Sequence, residues 1–149
     1  MTEQIDPIQL VINKFWEVVP PLWRLVRSRI HQEAVENFQI TVSQFHVLRH
    51  IRAGQHTVSD LAETVRLSRP AVSRTVDSLV EKGLVGRTTD PHDRRQIQLA
   101  LTPAGEDLLS ALFGQVRRWM AEHLSSLQQF ELEEISQALA MLQQAFDDN

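Results

Sequence analysis

The side chains best suited to chemistry are arginines in two places. Arg69 and Arg74 follow Ser68 and flank Pro70 and Ser73, and a second pair, Arg94-Arg95, follows Asp93. A guanidinium presents a planar fork of donors that matches a carboxylate, a phosphate or the edge of a guanine. Two histidines, His46 and His50, stand four residues apart and share a helix face if that segment is helical. Zinc needs three or four ligands, and no nearby Cys, Asp or Glu completes that pair, so no metal is expected. Ser, His and Asp side chains occur, but nothing in the spacing brings them together. There is no phosphate-cradling glycine loop and no nucleophile elbow. The chain is therefore expected not to be an enzyme and to need no cofactor.

The elements around the arginines follow from local signals. Thr41-x-x-Gln44 has the form of a capping box and predicts a short helix with Phe45, Leu48 and Ile51 inward, ending near Gly54. Thr57-x-x-Asp60 opens a second helix, Val58 to about Val65. After a tight turn at Arg66-Leu67, Ser68 caps a third helix, with Pro70 in its first turn and Gly83 just past its end. Val72, Val76, Leu79 and Val80 form its inner stripe, which leaves Arg69, Ser73, Arg74 and Asp77 on the outer face. Two short helices joined by a few residues are a helix-turn-helix.

The period then changes. Ile97, Leu99 and Leu101 alternate with Gln96, Gln98 and Ala100, a strand with one buried face. Leu84 to Thr89 is its antiparallel partner, and Asp90 to Arg94 supplies the turn. Arg94 and Arg95 fall at the tip of a surface ribbon. A helix followed by a basic hairpin suits duplex DNA, the helix in the major groove and the hairpin arginine in the neighbouring minor groove. The candidate DNA contacts are Ser68, Arg69, Pro70, Ser73, Arg74, Arg94 and Arg95.

The flanking segments are helical. Ile8, Val11, Ile12, Phe15, Val19, Leu22, Val26 and Ile30 recur at helical spacing, and Pro20-Pro21 predicts a kink or break among them. Thr102-Pro103 starts a long helix with Leu108, Leu109, Leu112, Phe113, Val116, Trp119 and Met120 on one side. In the last helix Leu132, Ile135, Leu139, Leu142 and Phe146 step by three and four, the seam of helices packed in left-handed pairs. That seam fits packing within one chain or a bundle between two, with Ile8, Val11, Ile12 and Phe15 on the other side of such a bundle.

Composition sets limits. The chain has no cysteine, which excludes disulfides, thiol nucleophiles and thiol redox sensing. Its net charge is -4, yet residues 57–101 carry seven basic against six acidic side chains, whereas from Met120 onward there are six acidic residues and no Lys or Arg. DNA binding would rest on a few placed arginines rather than on bulk charge. No apolar run is long enough to span a membrane. The start, MTEQIDPIQL, lacks the pattern of a signal peptide, so a cytoplasmic protein is expected. Trp16, Trp23, His46, His50 and Trp119 are candidate lining residues for an effector cavity, although indoles also fill cores and interfaces. The rival to a DNA binder is a helical dimeric module that binds another protein.

The concatenated run from Asp90 to Gly105, DPHDRRQIQLALTPAG, resembles the wing signature of the MarR-type winged-helix transcription regulators, and Leu61-Ala62 and the stretch LVEKGLV from Leu79 to Val85 resemble their helix-turn-helix. The resemblance covers about residues 20–145. It implies a mainly α fold with a small β-hairpin wing: a winged helix-turn-helix, residues 41–101, embedded in a helical dimerisation region, residues 1–40 and 102–149, as one intertwined domain. It implies a triangular homodimer on double-stranded DNA, with the helix from Ser68 in the major groove, Arg95 in the minor groove and Asp93 holding that arginine. It further implies a repressor on a pseudo-palindromic operator, released by a small aromatic or anionic effector bound between bundle and winged helix. Pro20-Pro21 departs from the continuous first helix of such proteins.

Overall fold

A computed structural model describes residues 6–90 and 97–147. It is mostly helical with one two-stranded antiparallel hairpin: α1 Pro7–Glu36, α2 Val42–Arg52, α3 Val58–Val65, α4 Arg69–Glu81, β1 Val85–Thr89, β2 Ile97–Leu101, α5 Pro103–Leu124 and α6 Gln129–Asp147. The chain divides into two compact units, one ending at Gly114 and the other beginning at Gln115.

The local signals set the helix limits of the first unit. Thr41 and Gln44 form a full capping box at the start of α2: each side chain bonds the other residue's backbone N–H. Thr57 caps α3 by accepting from the Asp60 N–H, and Ser68 caps α4 by accepting from the Ala71 N–H. Arg66 adopts the left-handed conformation, φ 54°, and ends α3 within the turn. Gly83, at φ +70°, ends α4, where a side chain would be strained.

The core of this unit is aliphatic. Leu48 of α2, Leu61 of α3, Val72, Val76 and Leu79 of α4, Leu99 of β2 and Leu109 and Leu112 of α5 are fully buried. α2 is central: it packs against α1, α3, α4 and β2. The hairpin is in register Val85↔Leu101 through Thr89↔Ile97. His56 fastens its second strand, with its carbonyl accepting from the Leu99 N–H at 2.7 Å and its ring Nδ1 lying 3.0 Å from the Leu99 carbonyl. Thr102 caps α5 by accepting from the Gly105 N–H, and its own N–H donates to the Leu84 carbonyl. Gly105 allows that close approach, since a Cβ there would lie 2.2 Å from the Leu84 oxygen.

Two expectations are corrected. α1 is not broken at Pro20-Pro21 but runs through both. The two prolines withhold donors from the carbonyls of Trp16 and Glu17, which are exposed residues, so water can take up those bonds. In β2 the alternation does not translate into three inward residues: Leu99 is buried, Leu101 half-buried and Ile97 is 56% exposed. Ile97 lies at the end of the strand farthest from Leu101, opposite Thr89, beyond the body that covers Leu99.

In the second unit, α6 follows a turn in which the Gln128 N–H donates to the Glu131 carboxylate at 2.7 Å. No residue of α6 is buried. Trp119 and His123, one turn apart on α5, have ring centroids 4.6 Å apart.

Candidate nucleic-acid interface

α3, the turn at Arg66-Leu67 and α4 form the helix-turn-helix, and α4 turns its valines and Leu79 inward. That orientation exposes Arg69, Pro70 and Arg74 and leaves Ser73 half-buried. Among the described residues neither Arg69 nor Arg74 has an ion-pair partner. Two unpaired guanidinium groups on one exposed helix face can reach phosphates or base edges. Ser68 spends its side chain on the cap of α4. Asp77, on the same face, is not free: Arg87 of β1 donates to its carboxylate. Sequence reasoning missed Arg87, because an ion pair between a helix and a strand ten residues away leaves no periodic trace.

Just past the end of β1, the Asp90 carboxylate accepts from the Gln98 side chain of β2 at 3.2 Å. Asp93, Arg94 and Arg95 lie outside the described residues.

The candidate effector residues separate. Trp23 and His46 line one cleft of about 240 Å³ between α1, α2 and α5. His46 and His50 line a second, of about 310 Å³, toward the end of α3. Trp16 is exposed, with its ring edge-on to Phe15. Trp119 belongs to the second unit. The first cleft gathers residues the sequence did not mark as lining a cavity: Arg27 and His31 of α1, Phe45 and Arg49 of α2 and Phe113 of α5. The spacing Arg27-x-x-x-His31 puts both on one face of α1, the one signal that could have found them.

The cleft is aromatic and cationic together. The His31 and His46 rings lie 5.3 Å apart, Phe45 packs against both, and Arg52 sits over the Phe113 ring at 5.0 Å. Burial lowers the pKa of His31, His46 and His50, and Arg49 lowers all three further, with Arg27 adding to the first two. Neutral imidazoles beside fixed guanidinium groups favour an anion over a cation. Among the described residues no group of three His, Asp or Glu side chains is placed to hold a metal ion.

The candidate dimer residues are mostly uncovered: Ile8, Val11, Ile12, Leu132, Ile135, Leu139 and Phe146 are exposed, and Phe15 and Leu142 half-buried. No helix among the described residues is long and apolar enough to cross a membrane.

A helix-turn-helix followed by an antiparallel hairpin defines the winged-helix class. Residues 38–96 match the model of the MarR family. The fold extends well beyond it. The transcriptional regulator Tm0710 from Thermotoga maritima aligns with a TM-score of 0.84 at 22% identity, over 92% of this chain and 96% of that one. The YusO protein from Bacillus subtilis aligns at 0.68 and 28% identity, over 94% and 99%. A MepR mutant from S. aureus bound to an oligodeoxyribonucleotide aligns at 0.68 and 24% identity, over 89% and 97%. The chain thus has the fold of MarR-family transcription regulators.

Proposed function

We propose that this protein is a dimeric, sequence-specific DNA-binding transcription regulator of the cytoplasm, a repressor that binds a pseudo-palindromic operator and has no catalytic activity. The observation that carries the reading is the exposed face of α4, where Arg69 and Arg74 stand unpaired among the described residues beside Ser73. The likeness to MepR, bound to an oligodeoxyribonucleotide in its structure, supports it. Arg74 reads a base, Arg69 holds phosphate, and Asp93, Arg94 and Arg95 place the wing in the minor groove.

The dimer forms through residues 1–40 and 102–149, around the reading region 41–101. The apolar stripes of α1 and α6 support this, because Ile8 and Val11 on the one helix and Ile135 and Leu139 on the other are exposed, and each stripe is a surface a second copy would cover. The cleft between α1, α2 and α5 supports release by a small aromatic anion, with Phe45 and Phe113 against its ring and Arg27 and Arg49 against its charge. Trp23 and His46 belong to that site.

Selection from random duplexes, followed by affinity measurements across salt concentrations, tests the proposal. A DNA-reading dimer enriches a pseudo-palindrome with half-sites about one turn, ~34 Å, apart, and its affinity falls steeply with salt. A truncation at Glu131 loses both dimer and DNA binding. No enrichment, or affinity indifferent to salt, would instead favour a helical protein-docking module.

A further inference from the structure

Gln44 is one of two buried polar side chains among the described residues, at 6% exposure. As the third residue of α2 its carbonyl oxygen accepts from the Thr41 N–H at 2.9 Å and completes the capping box. A glutamate would serve that box equally well, since only an acceptor is needed. The amide NH2 has another use: it donates to the Ser78 hydroxyl of α4 at 2.9 Å. Lys82, the C-cap of α4, donates to the Gln39 carbonyl at 2.8 Å and approaches the Gln44 oxygen at 3.5 Å. One buried amide thus meets the start of α2 and two points on α4, and Lys82 extends the junction to the loop before α2.

The apolar stripe of α4 decides which side of this helix is buried but cannot fix its roll finely, because burial of aliphatic area is non-directional. Hydrogen bonds of short length and defined angle can. Ser78 lies one turn beyond Arg74 on the same helix. We propose that Gln44 is a positioning residue for DNA binding: its amide, through Ser78, sets the roll of α4 and so the direction in which Arg74 meets the major groove. The inference rests on the DNA-binding reading above. Gln44 touches no DNA in this arrangement; it acts through α4. The same helix carries His46 and Arg49, so the amide also joins the cleft wall to the reading helix.

The test is a double-mutant cycle of Gln44→Met and Ser78→Ala in the full chain, on a duplex selected by the unsubstituted protein. Affinity is read well below every variant's melting temperature, where a purely stabilising role has no effect on it. Each single change is expected to weaken binding about fivefold, the size of one net hydrogen bond. The double variant is expected to be no weaker than either single, and the salt slope unchanged because no phosphate contact is lost. Ser78→Thr keeps the hydroxyl and should bind as the unsubstituted protein does. That comparison of Ser78→Ala with Ser78→Thr decides the matter if Gln44→Met does not fold. Unchanged affinity, multiplying costs, or a shallower salt slope for Ser78→Ala would overturn the positioning role alone. If the unsubstituted protein binds no duplex, the DNA-binding reading falls and takes this inference with it.

Discussion

Arg87 of β1 donates to the carboxylate of Asp77 on α4, so the second helix of the helix-turn-helix and the first strand of the hairpin are joined by an ion pair. Both side chains are substantially solvent-exposed, and such pairs stabilise a fold by at most about 1 kcal/mol. The bridge is better placed to hold the helix and the strand, both proposed above to face DNA, at a fixed angle.

Asp77→Ala should therefore leave the melting temperature nearly unchanged and weaken operator binding. Loss of an acidic side chain beside DNA should by charge alone tighten it. Fluorescence anisotropy distinguishes the two signs, and tighter binding by Asp77→Ala would refute the bracing role. Arg87→Ala should weaken binding by at least as much, since it loses the brace and a positive charge together.

The arginines of α4 and the wing should separate by readout. Arg74→Ala is expected to relax preference at one base pair by about 1–3 kcal/mol. Arg69→Ala should weaken all sequences alike. Arg95→Ala should leave stability within about 0.5 kcal/mol and reduce the magnitude of the salt slope by roughly one phosphate equivalent. Asp93→Ala should weaken binding. Selection and salt titration of each variant check these outcomes.

Gly105→Ala should destabilise the fold. Its Cβ would meet the Leu84 carbonyl oxygen at 2.2 Å, and that atom is backbone, so the start of α5 must shift away from the hairpin. Overpacking of this kind costs about 1–3 kcal/mol. A urea midpoint equal to that of the unsubstituted protein would show that α5 can move without penalty.

Stability should fall on mild acidification. Burial first, then the neighbouring arginines and, for His46, the His31 ring ahead of them, lower the pKa of His31, His46 and His50 below the ordinary 6.5. The unfolded chain therefore takes up protons first as the pH drops through that value, which favours unfolding. The stabilisation from these neutral rings is complete above 6.5 and is lost toward the lower folded-state values. Urea midpoints at about pH 7.5 and about pH 5.5 should differ, and replacing His31 and His46 together by Gln should shrink the difference.

The sequence by itself determined the helix limits of the reading region, because capping is local. Thr41, Thr57 and Ser68 each bond an N–H three residues on, and Gly83 stops α4 by its own backbone freedom. It also determined which face of α4 is apolar, through a period no other structure satisfies. Only the tertiary structure decided that α1 continues through Pro20-Pro21, since that depends on where the orphaned carbonyls point. Only it decided that Ile97 is exposed, since a period of two says which residues share a face but not how far the covering body reaches. The partners Asp77–Arg87 and Gln44–Ser78, and the gathering of Arg27, His31, Arg49 and Phe113 around one cleft, join residues from different elements. Such pairings are set by how helices pack, which spacing along one segment does not encode.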